Sequence, residues 1–173
     1  TFGQGADLVG IVWNADARPA PNARLTVQRL EFRDGRTQLV STGRTATADP
    51  GGNFRIANVP NGRYHIRAED PAATSFNPQA SLLPSQIERN LPATVTVDAV
   101  DDAAPIEIAM KRGFLYTLRG RVTGEGQAQV NVFDETGVSV DFVNAQAETG
   151  EFLIEYVPAG RYTLLARTTP GRG

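Results

Sequence analysis

Apolar and polar residues alternate along most of the chain, in short runs that turn-forming residues interrupt about every eight to twelve positions. The 17 glycines and 11 prolines stand between segments with the period of two that a half-buried strand needs. Strands at this spacing are typical of an all-β sandwich or barrel. The pattern predicts strands over residues 7–13, 24–32, 37–47, 53–57, 64–68, 94–100 and 105–113.

Turn residues divide these strands at two recognisable points. Asp34 and Gly35 both tolerate positive φ, so they predict a tight hairpin between the second and third strands. Residues 71–93 interrupt the alternation with several prolines and polar positions. Within them, residues 84–90 predict a short helix, because Pro84 is tolerated in a first helical turn.

One motif occurs twice. Residues 52–68 read GNFRIANVPNGRYHIRA, and residues 150–166 read GEFLIEYVPAGRYTLLA. Alternation places Phe54 and Ile56 on the buried face of one strand, and Tyr64 on the buried face of the next. The proline and glycine between them turn the chain. The motif therefore predicts a packed strand–turn–strand corner and not a catalytic loop.

The pattern begins again at Phe114. Residues 118–122 (LRGRV) correspond to residues 8–12 (LVGIV), and the second copy of the motif closes the repeat. Self-similarity on this scale indicates two domains of one fold. We predict a first domain over residues 1–113 and a second over residues 114–173.

Both copies resemble the carboxypeptidase regulatory-like domain family. The matching residues are Gly10 to Val12, Ala23 to Val27 and Asn53 to Tyr64, with Gly120 to Val122 and Glu151 to Tyr162 in the second copy. The resemblance implies two tandem transthyretin-like (Ig-like) antiparallel β-sandwiches. It further implies an accessory, non-catalytic module of a secreted or cell-surface protein, with no catalytic residues to carry over.

The second copy lacks the closing strands that residues 94–112 supply in the first copy. An open sheet leaves unpaired backbone groups, which folded proteins usually cover. Three explanations stay open: a continuation of the chain, a smaller five-strand sandwich, or a strand donated by another subunit. For donation, we predict residues 1–8 as the donor, anchored by Phe2 and Leu8, and Leu164 and Leu165 as the acceptor edge.

Composition narrows the function further. A net charge of −2 offers no basic field for nucleic acid, and no apolar run reaches the roughly 18 residues of a membrane span. The chain has no cysteine, which excludes disulfides and thiolate chemistry. Its one histidine, His65, is expected to face outward, and Asp98, Asp101 and Asp102 are interpreted as a solvated turn. We therefore predict no catalytic residue, no metal and no cofactor.

Two functions from different classes fit these observations. The first is an extracellular structural protein that self-assembles through strand edges, as a filament subunit with N-terminal strand donation. The alternative is a polysaccharide-binding or spacer module of a larger surface protein. Sugar binding needs exposed aromatic side chains, for which Trp13, Tyr116 and Tyr156 are the candidates.

Overall fold

A computed structural model of the chain describes residues 5–33, 35–74, 88–124 and 126–169. The chain divides into two compact units. Unit 1 comprises residues 1–30, 40–81 and 88–113, and unit 2 comprises residues 31–39, 82–87 and 114–173. Strand is the main secondary structure of the described residues, in agreement with the predicted all-β class.

Within the described part of the first 113 residues lie strands β1 to β9 and one short helix. They are β1 (Ala6–Trp13), β2 (Arg24–Arg33), β3 (Arg36–Thr47), β4 (Asn53–Val59), β5 (Gly62–Glu69), α1 (Pro71–Thr74), β6 (Arg89–Leu91), β7 (Ala93–Ala99), β8 (Ile106–Ala109) and β9 (Lys111–Gly113). One sheet has the order β4–β1–β8, with β1 antiparallel to β4 and parallel to β8. In a second sheet, β5 lies antiparallel between β2 and β7, and β3 lies beside β2.

The core of unit 1 forms between these two sheets. Leu8 and Val12 enter it from β1, Val27 from β2 and Ile66 from β5, and all four are fully buried in one cluster. Phe54 and Ile56 of the repeated motif are buried in the same cluster, as the alternation predicts. The sandwich therefore follows from the period-two pattern of its strands.

Unit 2 contains β10 (Leu115–Arg121), β11 (Gln127–Phe133), β12 (Ser139–Asn144), β13 (Glu151–Pro158) and β14 (Thr163–Thr169). β10 pairs with β13, and β11 lies antiparallel between β12 and β14. Its buried cluster is centred on Val132, Ile154 and Val157. The tip of the β2–β3 hairpin also belongs to this unit, where Gln38 pairs with Ser139.

The region between β5 and β7 differs from the sequence-based prediction. The helix predicted over residues 84–90 is wrong for Arg89 and Asn90, which lie in β6 and pair with β9. Residues 84–87 lie outside the described residues. Asn90 is held by tertiary contacts, since its amide donates to Asp70 Oδ2 at 2.7 Å and accepts from the Ala15 amide at 3.1 Å. Such long-range bonds override a local helix signal.

Candidate functional site

The two units share one register in their first strand pair, so their positions can be compared one by one. In each, the first strand pairs antiparallel with the first strand of the motif, and a β-bulge interrupts the ladder at the same place. The equivalent pairs are Leu8–Ile56 with Leu118–Ile154, and Gly10–Phe54 with Gly120–Phe152.

The bulge places one motif residue of each unit at positive φ. Asn58 has a φ of 54°, and its counterpart Tyr156 has a φ of 60°. In unit 1 the Asp7 carboxylate accepts the Asn58 backbone N–H at 3.0 Å and also binds Arg55. The hydrogen bond from Arg55, followed by that from Asn58, lowers the pKa of Asp7. The corner of unit 1 is thus fixed by a residue that suits left-handed geometry, whereas unit 2 uses a tyrosine.

Replacing Asn58 with alanine is expected to destabilise unit 1 by about 1 kcal/mol. The left-handed backbone conformation is unfavourable for alanine, whereas asparagine and glycine adopt it at little cost. The matched control is Asn58→Gly, which we expect to be close to neutral. Urea unfolding followed by the fluorescence of Trp13, the one tryptophan, measures both. Equal losses for the two variants would show that side-chain contacts, not φ, decide the stability at this position.

The described residues of unit 2 form no counterparts of β7 and β8 of unit 1. In unit 1, β1 has a neighbour on both sides, β4 and β8, and β5 has β2 and β7. Their counterparts in unit 2 have one neighbour each among the described residues: β10 pairs with β13, and β14 pairs with β11. The outer edges of β10 and β14 therefore present backbone donors and acceptors with no strand beside them.

The missing strands leave core positions of unit 2 uncovered. Leu164 pairs with the buried Val132, as Ile66 pairs with the buried Val27 in unit 1. Both side chains therefore point inward, yet Ile66 is 0% exposed and Leu164 is 43% exposed. Tyr116 is likewise exposed where its counterpart Ala6 is buried. We define the open edge as the free sides of β10 and β14 together with Leu164.

Leu164 and Leu165, predicted together as an acceptor edge, lie on opposite faces of β14. Leu164 points inward beside Val132, while Leu165 pairs with Asn131 on the outward face. Only Leu164 thus belongs to the uncovered core. The exposure of Leu165 does not result from an uncovered core, because its counterpart in unit 1 is the charged residue Arg67 on the outward face.

The two predicted donor anchors have different outcomes. Phe2 lies outside the described residues. Leu8 lies in β1 between β4 and β8 and is fully buried in the core of its own unit. Donating Leu8 to another copy would empty that core position, so the assignment of Leu8 as an anchor does not fit its place in the fold. A donated strand is limited to residues before Ala6.

The three predicted sugar-platform residues do not line one cavity. Trp13 is half-buried and lines a shallow cavity of about 410 Å³ at the end of β1, together with Asn14 and Met110 of the same unit. Neither Tyr116 nor Tyr156 lines this cavity, and both belong to unit 2. Polysaccharide binding therefore stays a prediction that rests on Trp13.

Several titratable residues of the described ranges form ion pairs. Asp98 accepts from Arg63 Nε at 2.9 Å, and this hydrogen bond and the charge of Arg63 lower the pKa of the carboxyl. His65 Nδ1 lies 3.2 Å from the hydroxyl of Thr96 on the neighbouring strand. No group of three His, Asp or Glu side chains in the described part of the chain could hold a metal ion. Within the same ranges, no helix has the length and apolar character that crossing a membrane requires.

Comparisons with solved structures give distant likenesses. The chain is similar to the Bacillus anthracis TIE protein, with 16% identity, a TM-score of 0.35 and coverage of 96% of this chain and 28% of that one. A streptococcal ancillary pilin has 18% identity and a TM-score of 0.38, with 98% and 55% coverage. A DUF3823 family protein from Bacteroides ovatus ATCC 8483 has 8% identity and a TM-score of 0.34, with 96% and 82% coverage.

The chain thus spans 28% and 55% of the lengths of the first two structures, and TM-scores this low carry no statement about function. No curated protein matches the chain. The comparison with protein families is more informative. Residues 7–111 match the carboxypeptidase regulatory-like domain, which is more than half of the 173 residues and includes both sheets of unit 1. The chain therefore belongs to the carboxypeptidase regulatory-like domain family.

Proposed function

We propose that the chain is a non-enzymatic structural module of an extracellular or cell-surface protein, and that copies of it assemble through the open edge of unit 2. One observation carries this proposal. Leu164 is 43% exposed at a position where Ile66, its counterpart in unit 1, is 0% exposed. An exposed, inward-facing leucine on a strand with one free edge is an incomplete core, and a further strand would complete it.

Unit 1 supplies the template for the missing strand. There, β7 pairs antiparallel with β5, and Val95 lies beside Ile66. A strand added to β14 in the same way covers Leu164 and pairs the free backbone groups of the edge. Each backbone hydrogen bond gained contributes about 0.5–1.5 kcal/mol, and the pockets for alternate side chains supply specificity.

The proposed donor is the N-terminal segment of a second copy. This segment precedes β1, which begins at Ala6. We propose residues 1–4 as the donated part, because Gly5 lies close to the backbone of Asn58 and Val59 in its own unit. Phe2 is the apolar residue in this segment, and burying it contributes about 1.5–3 kcal/mol. Donation from one copy to the next is a heterologous contact that does not close on itself, so its product is a filament.

Leu164→Asp and removal of residues 1–4 are each expected to abolish assembly, because the first places a carboxylate in the acceptor and the second removes the donor. Electron microscopy and sedimentation velocity of the full-length chain measure the result. Val100→Asp is the matched control, since Val100 has a similar exposure, 48%, but lies in unit 1. Filaments that persist in both test variants, or a chain that never assembles, would contradict the proposal.

A further inference from the structure

A second surface of unit 2 has an unusual composition: the outward face of the sheet formed by β12, β11 and β14. Val130 and Val132 of β11 point inward and are almost fully buried, so Gln129 and Asn131 point to the opposite face. Cross-strand pairing extends each of these two residues into a row. The rows are Leu165–Asn131–Phe142 and Arg167–Gln129–Asn144.

The first row consists of an amide between two exposed apolar side chains. Phe142 is 61% exposed and Leu165 is 41% exposed, whereas Asn131 between them is only 7% exposed. The Asn131 Nδ2 group is buried and has no hydrogen-bond partner. A buried amide donor without an acceptor costs free energy, so this row is not optimised for the stability of the single chain.

Unit 1 shows that the fold itself does not require this composition. The pairing registers make Thr26 the counterpart of Asn131, and Arg67 the counterpart of Leu165. Arg67 forms an ion pair with Glu69 at 2.6 Å. The same place in the fold is thus polar and charged in unit 1 but apolar in unit 2, which indicates that unit 2 uses the face for contact.

We propose that this face is the contact through which two copies associate about a two-fold axis that runs along β11. Rotation about that axis exchanges the two ends of each row. Leu165 of one copy then faces Phe142 of the other, and Asn131 faces its own equivalent. Arg167 faces Asn144, so no two like charges meet. A face whose two apolar side chains meet each other, and whose arginine meets a neutral amide, fits a second copy.

The amide lies at the centre of this arrangement, on the two-fold axis. The single chain itself encloses the Asn131 Nδ2 group, so the association rests on the apolar ends of the row and not on a hydrogen bond between the two asparagines. The contact uses the sheet face and not the open edge, so it stands even if edge assembly fails.

The first test measures the association constant by sedimentation equilibrium on the chain that carries Leu164→Asp, in which the proposed edge assembly is blocked. Leu165→Arg and Phe142→Arg are each expected to weaken dimerisation at least about tenfold, because each sets an arginine against an apolar side chain. Leu165→Arg should fold, since unit 1 carries arginine at the equivalent position. A chain that is monomeric at all concentrations, or that dimerises equally well in both variants, overturns the proposal.

The second test locates the contact without disturbing its apolar row. The chain has no cysteine, so Gln129→Cys introduces a single thiol beside the axis. Facing sheets lie about 10 Å apart, which a disulfide cannot span but a short bis-maleimide can. We expect a cross-linked dimer from Gln129→Cys, also when it is combined with Leu164→Asp.

The control is Arg24→Cys, because Arg24 is the counterpart of Gln129 in unit 1. This variant should not form a cross-linked dimer. Equal cross-linking of the two, or none from Gln129→Cys, overturns the proposal.

Discussion

Replacing Ile66 with alanine is expected to destabilise unit 1 by about 2–5 kcal/mol, while Leu164→Ala costs less than about 1 kcal/mol. The two residues are counterparts in the repeated motif, and each pairs with a buried valine. They differ in what covers them, since Ile66 is 0% exposed and Leu164 is 43% exposed. Urea unfolding measures both losses, with Trp13 fluorescence reporting on unit 1 and far-UV circular dichroism on both units.

Ile154→Ala is the control for unit 2. Ile154 is buried in the centre of that unit, so its truncation should cost several times more than that of Leu164. A Leu164→Ala variant as damaging as Ile154→Ala in the monomer would mean that Leu164 is already covered, and the open edge would then not exist. If copies assemble, the cost of Leu164→Ala should grow with protein concentration.

The strands and the repeated corner were predictable because their pattern is local. Phe54, Ile56 and Tyr64 alternate with polar residues, and all three are buried. Ile154, the counterpart of Ile56 in the second copy, is likewise buried, in the core of unit 2. Period two is a property of the extended backbone, so it survives in any strand with one buried face.

What the pattern could not predict is which strands lie side by side. Ile66 and Leu164 stand in nearly identical sequences, and their different exposure depends on β7 and β8, about 30 to 40 residues beyond Ile66. Leu8 was assigned as a donor anchor for the same reason, since nothing near it in sequence shows that β8 lies along β1. Where two strands have the same alternation of apolar and polar residues, their tertiary neighbours decide how deeply the apolar side chains are buried.

The outward face of unit 2 was missed although a signal existed. Leu165 was assigned to the acceptor edge together with Leu164, but two consecutive residues of a strand cannot share a face. An alignment of the two copies matches Leu165 with Arg67. It therefore shows an apolar residue at a position that is charged in the other copy. Phe142 carries no comparable signal, because its strand is the least similar between the copies.

Gly10→Ala is expected to destabilise unit 1 by about 3 kcal/mol, while Gly120→Ala costs about 1 kcal/mol in unit 2. A Cβ on Gly10 would lie 2.1 Å from the Ile106 carbonyl oxygen of β8 and 2.8 Å from the Phe54 ring. A Cβ on Gly120 would meet the tip of the Phe152 ring at 2.4 Å, and no neighbouring backbone is among its closest contacts. A half-buried ring can rotate away, whereas a paired strand cannot move without breaking its ladder.

Urea unfolding of the two single variants measures this difference, with Trp13 fluorescence following unit 1. The double variant Gly10→Ala, Phe54→Leu separates the clash with the Phe54 ring from the clash with the Ile106 carbonyl. We expect it to keep most of the stability loss caused by Gly10→Ala, because the Ile106 carbonyl stays in place. Equal losses at Gly10 and Gly120 would mean that the ring contact dominates in both units. In unit 1, β8 lies beside β1. If Gly120→Ala lowers the free energy of unfolding as much as Gly10→Ala does, but only when copies are assembled, a strand of another copy lies beside β10 in the same way.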